Sequence, residues 1–264
     1  MLGKLMKYEF KALLKDLGPL YAAWLLMEIL IVAFLKSLST VIPNFILFLF
    51  VLVFIVMSVA VVVMTVVVIL DRRFYKNFYG DEGYFTLSLP VKVSTHIWNK
   101  VITTTIWLIA AGFISSLALI LSLIFGLNPS LLDPEIWHRI IQFVKENNME
   151  TMKLVLLLVE LLILSAVSIS KSVLHFLFSI NIGAQFSRYK GMMMGIAFVG
   201  ISIFEIFVLR VFGENYPHDI LAVNTHANNS SYVFVGMLIA FQLVLAGIYF
   251  IGTHYFMNKR FNLE

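Results

Sequence analysis

Of the 264 residues, 61% are hydrophobic and 13% are charged, and 19 Lys and Arg against 15 Asp and Glu leave a formal net charge of +4. An ordinary soluble domain has roughly 45–50% apolar and about 25% charged residues, so one water-facing core cannot hide this chain's apolar surface and the composition calls for lipid as solvent. The basic residues lie between apolar runs rather than along one face, which argues against nucleic-acid binding, and the absence of cysteine excludes disulfide scaffolds, thiol catalysis, iron–sulfur clusters and Cys-based zinc sites.

In chain order, residues 2–17 place Leu2, Leu5, Met6, Phe10, Leu13, Leu14 and Leu17 at helical spacing among Lys4, Lys7, Lys11 and Lys15. This predicts an amphipathic helix in the membrane interface, broken at Gly18-Pro19 where the chain turns into a first span. A helix needs about 20 mostly apolar residues to cross the hydrocarbon, and six stretches qualify: 19–38, 44–70, 97–125, 154–182, 192–212 and 233–257. The second runs from Phe45 to Leu70 without a charge. The N-terminal region has a long charged part, Glu28 within its apolar run and no A-x-A-like site after it, so it reads as retained rather than as a cleaved signal peptide. Between the third and fourth spans, Asp133 caps and Pro134 opens a short helix with Ile136, Trp137, Ile140, Ile141 and Val144 on one face, ending near Lys145. This predicts a second surface helix on the outer leaflet. The whole chain, 1–264, reads as one all-α polytopic membrane domain without repeats or linkers.

Lys and Arg are retained on the cytoplasmic side of short loops. Thirteen of them fall at the termini and in the loops near 71–96 and 183–191, and five fall on the opposite side. Both termini are therefore expected in the cytoplasm. No phosphate-cradling, zincin, nucleophile-elbow or dinucleotide motif occurs in the sequence, so no catalytic residue and no metal ligand is assigned. His218 and His226 share an outer loop with spacing that matches no established metal site.

Ionisable residues within spans are costly unless paired, hydrated or snorkelling. Glu28 lies near the middle of the first span. On the fourth, helical stepping puts Glu160, Lys171, His175 and Gln185 on one stripe, which should face protein or water, and Glu28, Glu160, Lys171, His175 and Glu205 are the candidates for an intramembrane polar or cargo path. Glu160 and Lys171 are about 16 Å apart along the axis, so each needs another partner. Glu160 and Glu205 lie at similar distances from the outer ends of their spans; they form an outer polar cluster with Arg210, or Lys171 and Arg210 snorkel and Glu205 is hydrated. Gly191 to Gly195 matches G-x-x-x-G, either a close helix approach or the end of the preceding helix.

The segment Asp71 to Pro90 is rich in aromatic and charged residues together. Phe74, Tyr75, Phe78, Tyr79, Tyr84 and Phe85 supply contact area, Arg72, Arg73 and Lys76 positive handles, and Asp81-Glu82 sit between Gly80 and Gly83 as a compact acidic turn. An interfacial aromatic belt with the ordinary positive-inside charges is the plainer account. Together with the opening Met1 to Lys11, the Arg73 to Asn77 run, Leu87-Ser-Leu-Pro-Val91 and Lys100, this segment resembles the permease subunits of bacterial ABC-2-type exporters, also called type V exporters. The motifs cover the first hundred residues; the six-span plan extends the likeness. The resemblance implies that residues 1–18 are an elbow helix. It also implies that a cytoplasmic coupling element between spans two and three docks on an ATPase through Arg73, Phe74, Tyr75, Gly80, Asp81, Glu82, Gly83 and Tyr84. It implies two ABC ATPase subunits, which carry ATP and Mg, and a second permease as homodimer or heterodimer. This chain would bind no cofactor and would not be an enzyme by itself. The expected site of action is the bacterial plasma membrane, with lipid but no nucleic acid as further partner. Competing readings are an ion-coupled secondary transporter using Glu28, Glu160, Lys171 and Glu205, and a non-transporting sensor or assembly subunit.

Overall fold

The computed structural model describes residues 2–38, 44–69, 91–126, 134–146, 148–186, 189–214 and 229–259, and the regular structure among them is entirely helical. We label the helices α1 (Leu2–Leu38), α2 (Asn44–Val68), α3 (Val93–Gly126), α4 (Pro134–Glu146), α5 (Asn148–Gly183), α6 (Lys190–Glu214) and α7 (Asn229–Lys259). Four of them contain stretches long and apolar enough to cross a membrane: Val93–Leu117, Val155–Gly183, Lys190–Val211 and Val233–Asn258. The chain is thus an all-helical, multi-pass membrane protein.

The run Val59 to Val68 of α2, seven valines among ten residues, would favour a strand in water. It is helical here because hydrocarbon offers backbone groups no partner and a helix satisfies them within the segment. The polar Pro134–Glu146 helix starts and ends close to the expected positions, with Pro134 in its first turn and Lys145 in its last. Glu135 reaches Arg139 at 3.9 Å and Gln142 donates to Glu146 at 2.9 Å along its exposed side.

The break expected at Gly18-Pro19 is absent, since α1 runs without interruption with Pro19 inside it. Proline forfeits one backbone bond and clashes with the preceding turn, costing about 3 kcal/mol in a helix interior. Gly18 has no Cβ to meet the proline ring, which removes part of the strain. Packing offsets the rest. Leu13, Leu17, Tyr21, Trp24 and Glu28 are all buried and form one stripe at helical spacing that passes straight through the proline. Fully buried Leu13 and Leu17 alone contribute about 1.5–3 kcal/mol each. Lys4, Lys7, Lys11 and Lys15 share an exposed face. Residues 2–17 are therefore the first half of α1 and not a separate helix.

The fold divides into two units. One holds α1, α2, α3 from Ile106 onward and α4; the other holds α3 up to Thr105 with α5, α6 and α7. In the first, Trp107 packs its ring against Phe10 and Tyr21, at centroid distances of 6.3 and 6.0 Å. In the second, α5 packs on both α6 and α7. Close approaches there are set by single glycines. A Cβ on Gly252 would overlap the ring of Phe178, and one on Gly183 would overlap the backbone of Met194. By contrast, Cβ atoms on Gly191 or Gly195 would meet nothing within 4 Å, so the tight packing lies elsewhere than the G-x-x-x-G run.

Candidate functional site

The second unit is centred on a polar cluster drawn from three helices. On α6, Ile203, Phe204, Ile206 and Phe207 are all exposed by 60% or more while Glu205 between them is 9% exposed. An apolar helix in lipid turns an acidic side chain within its span toward protein. Buried Met194 lies on the same face of α6 three turns before Glu205, and half-exposed Phe198 lies between them at helical spacing.

Lys171 of α5 donates from Nζ to Glu205 Oε2 at 2.6 Å, and Tyr249 of α7 donates from Oη to Oε1 at 2.5 Å. His175, one turn beyond Lys171, brings Nδ1 to 3.5 Å from Oε1. Its ring stacks on Phe198 at 4.7 Å and on Tyr249 at 5.3 Å. All four residues are buried. Both carboxylate oxygens of Glu205 thus accept a hydrogen bond, one charge-assisted on both sides, and Lys171 and Glu205 cancel in charge. Below this layer Phe178 stacks on Tyr249 at 5.7 Å and touches Phe256 at 6.1 Å, fed by the close approach at Gly252. Thr105 and Ser170 hydroxyls, 3.3 Å apart, tie α3 to α5, and Trp98 meets Phe250 of α7 at 5.2 Å.

Chemically, this arrangement is a closed ion pair that fixes the register of α5, α6 and α7. Removing one member of such a pair leaves an uncompensated charge in a medium that cannot solvate it. His175 Nε2 is buried with no hydrogen-bond partner, the one polar atom of the cluster left open. Among the described residues, no group of three His, Asp or Glu side chains is placed to hold a metal ion.

Of the residues singled out in the sequence, Lys171, His175 and Glu205 come together. Glu160 does not join them. It sits about 16 Å from Lys171 toward the N-terminal end of α5, with Oε2 buried and unpartnered, and Glu205 pairs with Lys171 instead of clustering with Glu160. Arg210 is exposed near the end of α6, and Gln185 is exposed in the turn after α5, donating to the Asn181 carbonyl at 3.3 Å. Glu28 is buried in the other unit. The coupling residues Arg73, Phe74, Tyr75, Gly80, Asp81, Glu82, Gly83 and Tyr84, and likewise His218 and His226, lie outside the described residues. Sequence reasoning missed Tyr249, whose hydroxyl completes the cluster. Its only signal was its place on a stripe with Leu245, Thr253 and Met257, all buried.

No family model matches the chain, and neither the curated proteins nor the solved structures provide a match.

Proposed function

We propose that the chain is the membrane-spanning permease subunit of an ABC exporter of the ABC-2 type, moving cargo outward with ATP hydrolysed by a separate nucleotide-binding subunit. The observation that carries this reading is the segment 71–96, where aromatic anchors, Arg72, Arg73 and Lys76, and the Gly-flanked Asp81-Glu82 are gathered between two apolar stretches. A soluble ATPase can act on a membrane domain only through water-facing surface, and a partner interface is built from such aromatic and charged anchors. Six spans are proposed, the four apolar helical stretches of α3, α5, α6 and α7 together with those of α1 and α2, with both termini in the cytoplasm of a bacterial cell. Two ATPase subunits and a second permease complete the assembly. The chain itself would catalyse no reaction, and ATP and Mg would reside in the ATPase.

The test is purification of the tagged chain from its native membrane. A P-loop ATPase should co-purify in near-stoichiometric amount, and inactivating that ATPase's phosphate-binding Lys should abolish export. Recovery of the chain without any ATPase overturns the reading. Ion-coupled secondary transport is favoured by one observation, the open Nε2 of His175 beside a buried ion pair. It predicts transport that continues without ATP hydrolysis and collapses with the ion gradient.

A further inference from the structure

The unit containing α1, α2 and the second half of α3 carries a polar layer of its own. Its register is fixed by a hydrogen bond between Tyr21 Oη and Thr65 Oγ1, 3.1 Å apart. Only residues 39–43 separate α1 from α2, too few for anything but an antiparallel return. Seven residues forward from Tyr21 and seven back from Thr65 are the same rise of about 10.5 Å, and they bring Glu28 level with Ser58. The buried stripes agree, since Tyr21, Trp24 and Glu28 on α1 and Ser58, Val61 and Thr65 on α2 are all buried. The third side at this level is Ser115 of α3, whose Oγ donates to the Ser58 carbonyl at 3.4 Å.

Glu28, Ser58 and Ser115 keep 5%, 3% and 7% of their surface exposed. Glu28 Oε1 and Ser58 Oγ are each buried with no hydrogen-bond partner, so the two share a level without bonding one another. A carboxylate at mid-depth needs one unit of positive charge, and a divalent ion would overcompensate it. A proton would need a single acceptor. Here a carboxylate and two hydroxyls from three different helices come to one level, an all-oxygen set suited to a hard cation. We infer that Glu28, Ser58 and Ser115 form a sodium-binding site joining α1, α2 and α3. The site stands independently of the ATPase reading.

The test uses the intact protein in lipid nanodiscs, with NaCl exchanged for choline chloride at constant ionic strength and pH, read by melting temperature and by tryptophan fluorescence, Trp24 lying one turn from Glu28. Sodium should raise the melting temperature saturably, because a ligand bound only by the folded state stabilises it. Glu28→Gln should abolish that rise, while Ser58→Ala and Ser115→Ala should weaken the apparent sodium affinity about tenfold. Equal rises in choline and sodium, or an unchanged rise in Glu28→Gln, overturn the site. So does an infrared band of a protonated carboxyl that is lost in Glu28→Gln and indifferent to sodium, which assigns the charge balance to a proton. If Glu28→Gln does not fold, the serine variants decide, and unchanged sodium affinity in both contradicts the inference.

Discussion

Lys171, Glu205 and Tyr249 exemplify how a single residue's worth depends on its partners. Lys171→Leu leaves the Glu205 carboxylate buried without its cation, with Tyr249 donating to Oε1 and His175 Nδ1 3.5 Å away, and should destabilise the fold by about 3–5 kcal/mol. Tyr249→Phe removes one hydrogen bond to a charged acceptor and should cost about 1.5–3 kcal/mol. The pair Lys171→Leu with Glu205→Leu discards both charges and should cost less than either single change, because an apolar replacement of a buried ion pair is often neutral. Chemical denaturation in mild detergent checks this, and strictly additive losses would show that the two side chains are not coupled. The sequence already marked Lys171 and His175 as one stripe and Glu205 as an expensive charge. Their convergence was not legible, because depth counted from the outer ends paired Glu205 with Glu160. The actual register is set from the other end, where α5 closes on α6 at Gly183 and Met194. Lys171 lies 12 residues before Gly183 and Glu205 lies 11 after Met194, which puts them at nearly the same depth. Tyr249 was invisible because a tyrosine among apolar residues reads as an ordinary span residue until its neighbour is known.

Helices were the most legible level, since apolar length and end signals act locally. The start at Pro134 and the five long runs from 44–70 onward all correspond to observed helices, with ends shifted by a few residues. The exception was α1, where a local breaker at Pro19 is overridden by a continuous buried stripe. Packing between helices was less legible, and the glycines show why. Gly191 and Gly195 match a sequence motif but border open space, whereas Gly183 and Gly252 match none and sit against Met194 and Phe178. Gly252→Ala should therefore force the Phe178 ring to move, at about 1–3 kcal/mol for overpacking. Gly195→Ala should be neutral or stabilising by up to about 1 kcal/mol through helix propensity. Thermal melting of the two variants side by side checks the contrast, and equal losses would contradict it.

For the molecule as a whole, the asymmetric placement of Lys and Arg predicts an orientation that is open to direct measurement. The chain contains no cysteine, so single substitutions label cleanly. In intact cells Asp81→Cys should be protected from an impermeant maleimide and Asn228→Cys should react, and the reverse pattern would invert the topology. In the proposed function residues 71–96 receive force from an ATPase. In that proposal Asp81 and Glu82, flanked in sequence by Gly80 and Gly83, offer carboxylates to basic residues of the ATPase, and losing one side of a desolvated charge pair costs about 2–5 kcal/mol of binding. The decisive measurement is the affinity of the co-purifying ATPase for the chain in nanodiscs, taken with cargo-stimulated ATP hydrolysis, for the natural chain and for Asp81→Ala with Glu82→Ala. The account predicts at least a tenfold loss of affinity or of stimulation, with membrane insertion unchanged. Wild-type affinity and wild-type stimulation in the double variant would contradict it.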